Sequence, residues 1–60
     1  RLNVKLSLKT GDKIHHSTFG KGIVTSTTEL NDDLEITVAF ANGTGVKRLM
    51  LSFAPIKKLD

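Results

Sequence analysis

The sequence predicts an all-β fold, a small barrel or sandwich of about five short strands, and three observations predict it. Turn-forming residues punctuate the chain at roughly eight- to twelve-residue intervals, the spacing of strands joined by hairpins. The segments between them are rich in β-branched residues or alternate apolar and polar side chains. No stretch repeats apolar residues at helical spacing over three turns. A barrel is the better of the two architectures, because at this size it removes most free strand edges.

Taken in order, residues 1–9 alternate loosely, with Leu2, Val4, Leu6 and Leu8 set against Asn3, Lys5, Ser7 and Lys9. That pattern reads equally as a first strand or as an extended linker, so the folded domain is expected over residues 10–60. Gly11 and Asp12 turn the chain into a short segment at 13–16. Gly20 and Gly22 flank Lys21, and a G-x-G between apolar segments reads as a tight reversal or a bulge. Residues 23–30 carry Ile23, Val24, Thr25, Thr27 and Thr28, which suit a pleated surface and disfavour a helix. Asn31, Asp32 and Asp33 form the next turn. The clearest strand is 34–40, with Leu34, Ile36, Val38 and Phe40 on one face and Glu35, Thr37 and Ala39 on the other. Asn42 and Gly43 mark a hairpin loop before a further strand at 46–51. Pro55 ends that run, since it has no N–H for a ladder, and residues 56–59 form the last strand.

Composition bounds what such a domain does. The chain has 60 residues, no cysteine, tryptophan or tyrosine, one proline and a formal charge of +3. It is too short for two domains, and it has neither a disulfide nor a thiolate zinc site to support its core. The absent cysteines fit a reducing, intracellular setting. The longest apolar runs are too short to span a bilayer as a helix, and no charged-then-apolar leader opens the chain. A module of a larger protein is expected rather than a complete enzyme.

The candidate chemistry is sparse. His15 and His16 are adjacent, so on a strand they point to opposite faces and do not chelate one ion. One exposed and one packed, hydrogen-bonded histidine is expected, with no catalytic residue and no metal. Glu29, Asp32, Asp33 and Glu35 cluster at one turn but lack the calcium-loop pattern, which reads as a solvated hairpin tip. The G-K-G segment lacks the ending and the strand-then-helix setting of a phosphate loop. Lys47 shares a face with Leu49 and Leu51, whereas Arg48 shares one with Val46 and Met50. One of those faces meets the core, so its cation sits at the barrel rim, and cations beside apolar groups suit a protein-binding edge. Lys57 and Lys58 lie on the last strand. Phe19, Phe40 and Phe53 are too few for a methyl-lysine cage or a base-stacking platform.

Two runs then identify a family. G-D-K-I-H-H-S-T-F-G-K-G-I-V at 11–24 resembles the opening of the C-terminal Tudor-like domain of UvrD/PcrA-type ATP-dependent DNA helicases. G-V-K-R-L-M-L-S-F-A-P-I-K-K-L at 45–59 resembles the end of that domain still more closely, nearest to the PcrA branch of Gram-positive bacteria. Both motifs stand in the right order and spacing, and the resemblance covers roughly residues 10–59. It implies a five-stranded SH3-like (Tudor-like) barrel, tethered to a superfamily 1A, 3′-to-5′ helicase motor in the bacterial cytoplasm. ATP and Mg belong to that motor, so no cofactor is expected in this fragment. By the resemblance the domain is a monomeric recruitment module that docks onto RNA polymerase through a polymerase β-hairpin. Other DNA-repair proteins presenting a similar hairpin are expected to use the same surface, in transcription-coupled repair and the removal of RNA–DNA hybrids.

Carried over by position, the partner-contacting lysine falls on Lys47, with Arg48 beside it. His16, Phe19, Gly20 and Gly22 match a structural turn, and Phe53, Ala54 and Pro55 match the segment that closes the barrel. Phe19 stands where many relatives carry tryptophan, and Met50, Leu51 and Ser52 replace the more usual leucine, alanine and lysine. The alternative function is an auxiliary nucleic-acid-binding barrel, prompted by the +3 charge. The acidic turn and the scarcity of aromatics weaken it, and little or no nucleic-acid binding is expected.

Overall fold

The computed structural model describes residues 8–59. Five strands follow one another: β1 (Lys13–His16), β2 (Gly20–Leu30), β3 (Asp33–Phe40), β4 (Gly45–Met50) and β5 (Ile56–Leu59). They form one antiparallel sheet in the order β4-β3-β2-β1-β5, so the chain is all-β as its alternation and turns require. No helix among the described residues is long and apolar enough to cross a membrane.

The sheet wraps a core of Leu8, Ile14, Val24, Ile36, Val38, Phe40 and Leu51, against which Phe19, Leu34, Leu49 and Ile56 pack in part. In β3 the apolar set Ile36, Val38 and Phe40 is buried, while Glu35, Thr37 and Ala39 face outward. Removing that apolar surface from water is the main term holding so small a domain together. Leu51 lies just past β4 yet is buried, and its N–H donates to the Leu34 carbonyl at 2.8 Å.

At the chain's start, the sequence reading of residues 1–7 lies outside the described residues. Leu8, by contrast, packs in the core, and the Lys9 N–H donates to Asp12 Oδ2 at 3.0 Å. Gly11 and Val24 then exchange chain contacts with β2 and the turn, Gly11 N–H to Val24 O and Val24 N–H to Asp12 O. The packed unit therefore takes in Leu8.

The glycine motif is placed differently from the sequence reading. The reversal is made by residues 17–19, and Gly20, Lys21 and Gly22 already belong to β2. Gly20 has φ +82°, a left-handed conformation that costs glycine nothing. Gly22 has no such φ; a Cβ there would lie 2.5 Å from Val38 Cγ1 and 2.8 Å from Phe40 Cδ1. One glycine serves the backbone and the other makes room for the core. The bulge falls instead between Val24 and Ser26, where Thr25 is the extra residue and its hydroxyl donates to the Thr37 carbonyl at 3.2 Å.

Asp33 also departs from the expected solvated turn. Its Oδ1 accepts from the N–H groups of Leu34 (2.8 Å) and Ser52 (3.1 Å), and its Oδ2 accepts from the Ser52 hydroxyl. One carboxylate thus ties the β2–β3 turn to the β4–β5 turn. The Ser52 hydroxyl above all, with the two N–H groups, holds the Asp33 carboxyl below the usual aspartate range despite opposing desolvation. A depressed folded-state pKa contributes stability above the ordinary carboxylate range, and that contribution is lost as pH falls through the folded value. Asp33→Asn is therefore expected to be less stable than the parent at neutral pH, with the difference shrinking below the ordinary aspartate range. Urea unfolding at the two pH values checks this, and a gap independent of pH would rule out the charge as its cause.

Candidate functional site

The sheet ends at β4 on one side and β5 on the other, and among the described residues these two strands do not pair with each other. Each turns one row of backbone groups away from its neighbour in the sheet. On β4 that row follows from the ladder. Leu51 donates to Leu34, in register with the pairs Leu49↔Ile36 and Lys47↔Val38, so these are the hydrogen-bonded pairs of an antiparallel ladder. Val46, Arg48 and Met50 then turn their N–H and C=O groups away from β3. The Met50 carbonyl agrees with this, for it is taken by the N–H groups of Phe53 (2.9 Å) and Ala54 (3.0 Å) in the following turn. Among the described residues, what stays open is the N–H and C=O of Val46 and Arg48, plus the Met50 N–H. The β5 edge is shorter, four residues against six, and the Ile56 N–H is occupied by the Ala54 carbonyl at 2.9 Å.

Side chains frame the β4 edge. Lys47 lies opposite buried Val38, on the core-facing side of the sheet, yet it is exposed at the rim. Its Nζ stands 5.6 Å from the Phe19 ring centroid, a cation–π distance. The Phe19 ring stacks on His16 at 4.5 Å and tilts against Phe40 at 5.3 Å. His16 is buried, and its Nδ1 accepts from the N–H groups of Thr18 (2.9 Å) and Phe19 (3.1 Å), which assigns the ring hydrogen to Nε2. A chain of contacts therefore runs from the core through His16 and Phe19 to the ammonium of Lys47. His15 is exposed, as expected from its position on the opposite face.

Arg48 points to the outer face with Val46, which is 64% exposed. Next to the edge lies a hollow of about 260 Å³ lined by Arg48, Leu49, Met50, Phe53, Ala54 and Pro55, with His16 at its floor. Phe53 is 84% exposed, so its ring is not part of the core. The F-A-P segment closes this end through its backbone, the Pro55 carbonyl accepting from the Ser17 N–H at 3.1 Å.

The structure thus brings Lys47, Phe19 and His16 together, sets Arg48 on the neighbouring face, and leaves Gly20 and Gly22 as framework. Sequence reasoning missed the part that Val46 and Met50 play, because an edge works through backbone groups that no residue type announces. The outward Phe53 ring was equally hidden, as composition assigns phenylalanine to a core. Chemically, a row of free donors and acceptors beside two cations and an apolar hollow is a template for an added strand.

Comparison with known proteins agrees with this reading of the chain as a module. The family described as PcrA/UvrD tudor domain matches residues 10–58. The chain is 48% identical over 54 residues to the ATP-dependent DNA helicase PcrA of Leuconostoc citreum, covering 90% of this chain. It is 42% identical over 52 residues to the same-named protein of Staphylococcus epidermidis, 87% of this chain, and 42% over 50 residues, 83% of it, to that of Staphylococcus aureus. In each case the match spans about 7% of the relative's length.

Proposed function

The chain belongs to the PcrA/UvrD tudor domain family, and from that membership we propose that it is the recruitment module of a superfamily 1A, 3′-to-5′ DNA helicase in the bacterial cytoplasm. It docks that helicase onto RNA polymerase and onto other repair proteins that present a β-hairpin, for transcription-coupled repair and removal of RNA–DNA hybrids. ATP, Mg and strand separation belong to the rest of the helicase. The observation that carries this reading is the open β4 edge, with its unpaired backbone row and exposed Lys47 and Arg48. A strand of the polymerase hairpin pairs with Val46 and Arg48 through the main chain, and an acidic side chain on it meets Lys47. Phe19 holds the ammonium in place before the partner arrives, which lowers the ordering cost of docking.

The test is a pull-down of RNA polymerase. Lys47→Ala is expected to weaken capture at least tenfold, about 1.4 kcal/mol or more. Undiminished capture by a folded Lys47→Ala variant would overturn the assignment.

A further inference from the structure

A second surface lies on the outer face of the sheet, its hollow walled from β1, β2, β3 and β5 rather than from β4. The registers align Val46, Ala39, Ile23, Lys13 and Leu59 in one row across all five strands. The next row on the same face holds Lys21, His15 and Lys57. Between them is a hollow of about 410 Å³ walled by Ile23, Ala39, Ala41 and Leu59, with Lys13 and Lys21 at its rim. Ile23 is 45% exposed there, a large apolar side chain left on the surface. Among the described residues the only ion pair is Lys58 with Asp12, and none is formed there by Lys13, Lys21 or Lys57. The acidic turn sits at the far end of β2, whereas Lys13, Lys21 and Lys57 gather at this one.

We propose that this face is a second docking site, for an acidic protein segment carrying one apolar side chain. The apolar side chain fills the hollow between Ile23, Ala39 and Leu59, and carboxylates on either side of it meet Lys13, Lys21 and Lys57. Charge complementarity selects an acidic partner, and the apolar walls select a protein over a phosphodiester chain, whose backbone has no group to bury there. The site goes beyond recruitment through the β4 edge and does not depend on it.

The test uses amide chemical-shift mapping of the isotope-labelled 60-residue chain. The probes are a blocked synthetic peptide of glutamates around one leucine, the same peptide with serine for leucine, and a duplex DNA oligonucleotide. The leucine peptide is expected to shift the amides of Lys21, Ile23, Ala39 and Ala41, and the serine peptide to bind at least tenfold more weakly. Ile23→Ser and the double variant Lys13→Glu/Lys21→Glu each lose the response, whereas Lys47→Ala keeps it. Ile23→Ser also leaves polymerase capture unchanged, which separates this site from the β4 edge. Equal binding of the two peptides, shifts confined to β4, no shifts, or DNA binding that ignores Ile23→Ser would each overturn the proposal.

Discussion

Gly22→Ala is expected to lower the unfolding free energy by about 3 kcal/mol, the upper part of the range for overpacking a core. The added carbon meets Val38 Cγ1 at 2.5 Å, Phe40 Cδ1 at 2.8 Å and the Ala39 carbonyl oxygen at 3.1 Å. Val38 is fully buried and Phe40 nearly so, so the added carbon meets packed core side chains. A domain of this size has little stability to spare, and each kcal/mol moves its melting temperature by about 4–8 °C. Gly20→Ala is the control. It forces a side chain into a left-handed backbone but meets nothing nearer than Asn42 Nδ2 at 3.4 Å, so about 1–2 kcal/mol is expected. Thermal melts of the two variants distinguish the causes: if Gly20→Ala is the more damaging, backbone conformation rather than space governs this motif.

Replacing His16 with leucine is expected to cost about 2–3 kcal/mol, because the N–H groups of Thr18 and Phe19 lose their shared acceptor while the volume stays filled. The loss reaches the β4 edge as well. Leucine fills the volume without the flat ring on which Phe19 stacks, so Phe19, and Lys47 beside it, are held less firmly. His16→Leu should therefore lower both the urea midpoint and polymerase capture measured at a temperature where the variant is folded. A variant as stable as the parent would show that water satisfies both donors.

What the sequence made legible was local. The 34–40 alternation corresponds to β3 almost residue for residue, because one face is core and the other is solvent. The Asn42-Gly43 loop falls where expected, and Gly43 has φ +82°. Lys47 sits at the rim because a cation sharing a face with Leu49 has nowhere else to go. What stayed hidden depends on contacts between distant residues. The need for Gly22 arises from β3 side chains on the opposite side of the ladder, and nothing within the G-K-G segment itself distinguishes it from Gly20. Asp33 looked like one of four solvated carboxylates because its partner, Ser52, is 19 residues away. The bulge at Thr25 carries no glycine to announce it.

The open outer edge of β4 has a further consequence. A free edge invites any extended chain, including another copy of itself, and pairing of that kind is how sheets grow into fibrils. Two consecutive cations, Lys47 and Arg48, stand at the middle of this edge. Two such edges brought together would oppose like charges, whereas a strand bearing acids meets no such barrier. The same two cations proposed to meet an acidic partner therefore also oppose self-pairing, so partner choice and resistance to aggregation would be a single property of one six-residue strand.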